Sequence, residues 1–317
     1  MKKSPFPYSI DNKRYHTWNR FLQDKFGCKV TKIALNGGFT CPNIDGTKGT
    51  GGCIYCSGGS GAFAGNPDES ISEQFAKGKE QMGKKWQDTK YIPYFQANTN
   101  TYAPLSRLKE LYEEALSQEN VVGLAIATRP DSITDEVYDY LEELSKRTYL
   151  LVELGLQSIF DETGERINRC HSYAEFEKCY KELKRRGINV CVHLIIGLPG
   201  ETKEMMLESV RRVASLEPEC VKLHLLHILK NTPLAREYEE GKVRCLELRE
   251  YVDIIVDALE LLPPETVLQR LTGDGARNEL IAPLWTLKKF VVLNEIDKEM
   301  VRRNTMQGAK FQKNSKI

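Results

Sequence analysis

Three cysteines stand close together in a glycine-rich stretch: Cys41 within Asn36-Gly37-Gly38-Phe39-Thr40-Cys41-Pro42, then Cys53 and Cys56 within Gly51-Gly52-Cys53-Ile54-Tyr55-Cys56, a C-x11-C-x2-C pattern. Thiolates gathered in this way select a soft metal, meaning zinc or an iron–sulfur cluster. The glycines let the backbone curl around a bulky group. A structural zinc site takes four ligands, usually from two C-x2-C knuckles, and this chain has no second knuckle. Cys28 is a poor fourth ligand because it lies at the other end of the apolar run Val30 to Leu35. A four-iron cluster on three cysteines leaves one iron open for a ligand or substrate. Count and spacing therefore put a [4Fe-4S] cluster ahead of zinc, with a zinc-stabilised binding module as the non-enzymatic alternative. Cys28, Cys170, Cys179, Cys191, Cys220 and Cys245 show no ligand spacing and read as small hydrophobes.

Other polar groups fall at the ends of predicted strands. Gln96-Ala97-Asn98-Thr99-Asn100-Thr101-Tyr102 is a run of hydrogen-bonding side chains, suited to a ligand or to a polar turn. In Thr128-Arg129-Pro130-Asp131, Arg129 offers a guanidinium to a carboxylate or phosphate, and Asp131 could instead serve as a cap or surface pair. Glu153 interrupts the apolar Leu151-Val152-Glu153-Leu154-Gly155, and a charge in a buried strand needs a partner. Gln157 and Ser158 follow it closely. Arg166 and Arg169, in Arg166-Ile167-Asn168-Arg169-Cys170-His171, either bind an anion or form an exposed basic loop. Gly197-Leu198-Pro199-Gly200-Glu201-Thr202 reads as a strand-to-helix turn. His193, His224 and His227 fall in predicted strands and read mainly as core or lining, with His193 and His224 as weak substrate contacts. The three-residue offset of His224 and His227 assigns them to opposite faces. The run Gly58 to Gly65 follows a cysteine loop, so it is a weak match to a dinucleotide fingerprint.

The elements that position these groups alternate regularly. Strands are expected over Val30–Leu35, Tyr91–Ala97, Val122–Ala127, Tyr149–Leu154, Asn189–Ile196 and Cys220–Leu229. Helices are expected over Asp68–Trp86, Pro104–Glu119, Thr134–Arg147, Ser172–Arg186, Glu201–Glu217 and Leu246–Leu262. Ser70 with Glu73 and Ser172 with Glu175 match capping boxes, and Gly187 closes a helix. Nearly continuous apolar strands mean a parallel sheet covered on both faces, either open and doubly wound or curled into a barrel. A short strand and a helix follow over Val267 to about Asn304. The expected organisation is a basic arm over 1–29, a core over 30–245 and a C-terminal α/β extension with a basic tail over 246–317.

The composition, 41% hydrophobic and 28% charged, excludes collagen-like and disordered chains. The net charge of +1 forecasts no nucleic-acid partner by itself. It hides an asymmetry: residues 1–32 carry +6 and 286–317 carry +5, leaving −10 between them. Basic ends folded to the same side could grip phosphates, whereas solvated tails are the plainer account. An odd number of dispersed cysteines points to a reducing cytoplasm. No apolar run is long enough for a membrane span.

With these motifs in place, the sequence resembles the radical S-adenosylmethionine (SAM) superfamily. The wide gap between the first two cysteines is shared with the elongator catalytic-subunit branch, and within it the YtqA/YhcC (MnmL-like) type is the nearest resemblance. The resemblance spans Val30 to about Leu229 for the superfamily and nearly the whole chain for the type. It implies a partial (β/α)6 TIM-like barrel, a [4Fe-4S] cluster on Cys41, Cys53 and Cys56, and S-adenosyl-L-methionine as cofactor. Cofactor contacts are implied at Tyr55, Asn98, Thr128, Glu153, Gln157, Arg166, Gly197 and Gly200. Tyr55 and the Gly197–Gly200 loop would meet adenine, Glu153 the ribose with Gln157 in reach, and Asn98 and Arg166 the methionyl end. The implied reaction is reductive cleavage to a 5′-deoxyadenosyl radical that abstracts hydrogen from substrate. The implied partners are tRNA, at the wobble-uridine side chain, and a reductant such as a flavodoxin or ferredoxin. A small-molecule or protein substrate is the alternative.

Overall fold

The computed structural model describes residues 4–9, 12–57, 64–82, 89–273 and 275–313. The strands are β1 (Val30–Leu35), β2 (Lys90–Phe95), β3 (Gly123–Thr128), β4 (Tyr149–Gln157), β5 (Asn189–Ile196), β6 (Cys220–Leu225), β7 (Ile228–Leu229), β8 (Val267–Arg270) and β9 (Leu280–Ala282). The helices are α1 (Trp18–Phe26), α2 (Ile71–Met82), α3 (Leu105–Leu116), α4 (Asp135–Arg147), α5 (Asp161–Arg166), α6 (Tyr173–Arg185), α7 (Lys203–Ser215), α8 (Pro233–Glu239), α9 (Leu248–Leu261) and α10 (Lys289–Arg302).

The main sheet runs β1-β2-β3-β4-β5-β6-β8, and every pairing is parallel. Strict chain order excludes a doubly wound sheet, whose order reverses at a switch point. Right-handed crossovers then stack the helices on one face, and the sheet curls around its other face as a partial TIM-like barrel. The sheet extends one strand beyond the six expected units. That strand, β8, is the short strand expected at Val267, and the structure adds it in parallel to β6 at the edge of the sheet. The single strand expected over 220–229 divides after Leu225, and Ile228–Leu229 pairs instead with β9, antiparallel.

Alternation within each strand sorts the two faces. Leu150, Val152, Leu154 and Leu156 of β4 pack outward in the large core beneath the helices, while Leu151 and Glu153 face the barrel interior. The interior is apolar at the N-terminal ends of the strands, where Val30, Ile92, Leu151, Cys191, Cys220 and Val267 meet. Helix α1, within the expected basic arm, covers that end with Trp18, Phe21, Leu22 and Phe26. This helix has an apolar face to bury, and the open base of the barrel accepts it.

The charged ends gather at the same base. Thr17 bridges to Leu268, the Gln307 amide donates to the Arg14 carbonyl, and Lys13 pairs with Asp297. The described parts of the two basic termini thus meet at the end of the barrel opposite the cysteine loop. Both expected capping boxes form, at Ser70–Glu73 and Ser172–Glu175. Gly187 adopts φ +72°, the left-handed geometry that ends α6. The expected helix end at Trp86 and the glycine run over 58–63 lie outside the described residues. Among the described residues no helix is long and apolar enough to cross a membrane.

Candidate active site

The C-terminal ends of the strands open onto a cavity of about 540 Å³ lined by Cys41, Cys53, Cys56 and Tyr55. The cysteine loop is held there from both sides. Gln74 of α2 accepts from the Asn36 amide at 2.8 Å and donates to the Asn36 carbonyl at 2.9 Å. From the segment after α5, Asn168 Nδ2 donates to Gly52 O at 2.7 Å, and Ile167 O accepts from the Ile54 amide at 3.1 Å. Asn43 is fully buried, with Nδ2 3.6 Å from Cys53 Sγ. Cys41, Cys53 and Cys56 are the cysteines among the residues lining this cavity, one thiolate short of a structural zinc site and a donor set that fits a thiolate-bound cluster with one open iron.

A polar wall adjoins the cysteines. Asn98, at φ +62°, donates to Phe39 O at 2.8 Å, and the Thr128 and Thr101 hydroxyls meet at 2.6 Å. Arg129 is buried and bidentate with Asp131, both contacts at 2.9 Å, and it also donates to Arg169 O. Burial alone would raise the Asp131 carboxyl, but the Arg129 contacts hold it well below the usual carboxylate range. Arg169 is buried with Nη1 3.8 Å from Cys53 Sγ and Nη2 donating to Gly155 O at 2.7 Å. A Cβ on Gly155 would stand 2.7 Å from that Nη2, so any larger residue there would displace the Arg169 guanidinium from this position. Gln157 sits at φ +75° beside a register shift that ends β4. Two buried atoms of this wall have no partner: Arg129 Nη1, a donor, and Gln157 Oε1, an acceptor. A ligand carrying both a carboxylate and an ammonium satisfies that pair, as the methionyl end of S-adenosyl-L-methionine does.

Deeper in the cavity lies Glu153, fully buried. Its Oε1 pairs with Lys32, and its Oε2 pairs with Lys222 and accepts from His193 Nε2 at 2.9 Å. Lys32 also donates to Gln269 at 2.7 Å, and both ammonium groups lie 4.7 Å from the Tyr94 ring centre. Burial first, then the Lys222 charge, pushes the His193 imidazole down to about 4, so it is neutral at pH 7. Glu153, Cys191 and His193 have ligand atoms within 4.8 Å of one another. Two lysines already occupy the carboxylate, which makes this a salt-bridge cluster.

Tyr55, Asn98, Thr128, Glu153, Gln157 and the three cysteines thus share one cavity. Arg166 is not brought to it; that side chain pairs with Glu237 of α8 at the surface, while Arg169 takes the inner position. Gly197 and Gly200 line a separate cavity of about 200 Å³ with Lys242 and Arg244, and from β5 it is His193 and Ile195 that reach the main one. His224 and His227, expected on opposite faces, both line the main cavity because the strand ends at Leu225 and its alternation ends there. Lys32 and Lys222 escaped notice, although each is a lysine amid apolar strand residues, the same signal that marked Glu153.

Residues 44–213 match the Radical SAM superfamily, and residues 218–302 match the Radical_SAM C-terminal domain. The chain is 49% identical over 314 residues to the uncharacterised protein YtqA of Bacillus subtilis, covering 99% of this chain and 98% of that one. It is 27% identical over 161 residues to the tRNA uridine(34) acetyltransferase of Methanocaldococcus infernus, 50% of this chain and 30% of the other. The fold matches the solved structure of M. infernus Elp3 with a TM-score of 0.69 at 20% identity, covering 88% of this chain and 64% of that chain.

Proposed function

Because the chain belongs to the radical SAM superfamily and so uses a [4Fe-4S] cluster with S-adenosyl-L-methionine, we propose that it is a tRNA-modifying enzyme acting at wobble uridine. The reaction is the maturation of a carboxymethylaminomethyl side chain to an aminomethyl one. The observation that carries this reading is the half-chain likeness to an enzyme named for tRNA uridine 34. When bound, the cofactor pair would supply one-electron and hydrogen-atom chemistry, enough to take up the hydrogen atom and electron that the substrate gives up.

The chain's own residues bind and orient. Cys41, Cys53 and Cys56 hold the cluster, with Arg169 beside Cys53. Tyr55 packs on adenine, while Asn98, Thr128, Gln157 and Arg129 hold the methionyl groups. Glu153, with its carboxylate already shared by three partners, stiffens the base of the cavity beneath them. The His224, His227 and Glu279 side of the same cavity is left for the uridine side chain. In the net change the methylene beside the carboxylate is oxidised by two electrons, and water supplies an oxygen. The two-carbon fragment then leaves as glyoxylate and the amine stays on the base.

Nucleoside mass spectrometry of tRNA from a strain lacking this protein tests the reading. Carboxymethylaminomethyl nucleosides should accumulate at the expense of aminomethyl ones. An unchanged wobble-uridine profile overturns the tRNA assignment.

A further inference from the structure

One rim of the cavity carries an apolar and basic surface that the site described above does not use. His227 lines the cavity, and its Nε2 lies 3.2 Å from the Thr286 hydroxyl. Thr286 belongs to a short 3-10 turn, Leu284–Leu287, that leads into α10. Around that buried threonine the chain exposes Leu284, Leu287, Phe290 and Val291, and Phe290 is 81% exposed. Four large apolar side chains presented within eight residues are a patch rather than scattered surface hydrophobes.

The cations beside the patch differ from those elsewhere on α10. At the far end of the helix, Arg302 and Arg303 are bound to Glu299, Asp253 and Asp257. Lys230, which follows β7, Arg277, which precedes β9, and Lys288, two residues before Phe290, are exposed and make no ion pair among the described residues. The Lys230 amide donates to Glu279 O, which ties it to the same β7–β9 ribbon. An exposed aromatic ring two residues from Lys288, on the segment that continues from the β7–β9 ribbon carrying Lys230 and Arg277, suits a single-stranded nucleic acid, with a base stacked on the ring and phosphates on the cations. A second copy of this chain fits less well, because a two-fold contact would set the three cations against their own counterparts.

We propose that this rim docks the single-stranded loop of the RNA substrate, with an unpaired base on Phe290 and backbone phosphates on Lys230, Arg277 and Lys288. The proposal rests on the tRNA reading above and adds where the loop sits. The test is fluorescence anisotropy on the full chain, with a labelled RNA hairpin carrying an unmodified anticodon loop and a blunt duplex of the same stem. Phe290→Ala should weaken hairpin binding by about tenfold and leave duplex binding unchanged, and Phe290→Tyr should restore it. Arg277→Gln with Lys288→Gln should lower the salt-dependence slope by about 1.4. Thermal unfolding confirms that the variants are folded. If the unaltered protein binds the hairpin and Phe290→Ala binds it equally well, the rim proposal falls and the tRNA reading stands. If the unaltered protein binds no RNA, both fall. A dimer that Phe290→Ala dissociates would make the rim a self-interface and overturn the proposal.

Discussion

The carboxylate of Glu153 on β4 and the ammonium of Lys222 on β6 meet inside the half-barrel, and Lys32 of β1 reaches the same carboxylate from the far edge of the sheet. Burial by itself would raise the Glu153 carboxyl. The Lys222 and Lys32 charges and the His193 hydrogen bond hold it well below its ordinary range. Since Lys32 also bonds Gln269 of β8, this cluster spans the gap between β1 and β8, the two edges of the sheet. An incomplete barrel lacks the ladder hydrogen bonds that would close it, and a buried ionic bridge partly replaces them.

Removing the shared anion leaves two buried ammonium groups facing each other. Glu153→Gln should therefore lose about 3–5 kcal/mol of stability in urea titrations. Lys222→Met should lose less, because Lys32 still neutralises the carboxylate. Equal losses would show that the two lysines do not share one anion.

Native His193 takes up a proton only near pH 4, whereas an unfolded histidine does so near pH 6.5. Between these values the unfolded chain binds more protons, so stability rises with pH: it is complete above about 6.5 and is lost as pH falls toward 4. His193→Gln should flatten the dependence of unfolding free energy on pH across this window by up to about 1.4 kcal/mol per pH unit. Parallel curves for the two proteins would remove His193 from the acid response.

Anaerobically purified protein should be brown and carry about four iron per chain. Cys53→Ala should lose most of that iron and the cleavage of S-adenosyl-L-methionine, while the fold persists by circular dichroism. Cys191→Ala should keep the iron, since that thiol sits in the apolar base of the barrel. Full iron retention in Cys53→Ala would refute the ligand assignment.

Gly155→Ala places a methyl group 2.7 Å from Arg169 Nη2 and 3.0 Å from Gln157 Nε2. It should weaken S-adenosyl-L-methionine binding by tenfold or more, on the order of 1–3 kcal/mol for displaced hydrogen-bonding groups, with little change in iron content. Isothermal titration against the unaltered protein checks this, and unchanged affinity would mean that the wall adapts.

Much of the fold was legible because its signals are local. Six strands and six helices follow from apolar runs and periodicity, and two capping boxes and Gly187 follow from residue type at fixed offsets. Helix α5, with six residues, and α8, with seven, were too short to show a period. Helix α1 was hidden within a segment read for its charge. Of the site, Asn98, Thr128 and Gln157 stand at or just past strand ends, where a parallel barrel gathers its loops, the cysteine loop is marked by its own spacing, and Tyr55 came from the family resemblance; all line the one cavity.

The sequence by itself narrowed the chemistry: three thiolates at C-x11-C-x2-C spacing select a soft metal, with an iron–sulfur cluster ahead of zinc, whatever the fold around them. The β-then-α alternation likewise required a parallel sheet. Only the tertiary structure decided that Arg169 faces the cluster loop while Arg166 turns to Glu237. Only it gave Glu153 two lysines, one of them 69 and the other 121 positions away in the chain. It also sent the described parts of the basic termini to the base of the barrel. For Arg169 and Glu153 the physical reason is the same: a buried charge must find its partner. That partner is chosen by which distant segments the curled sheet brings within hydrogen-bond reach, a relation that no local pattern in the chain contains.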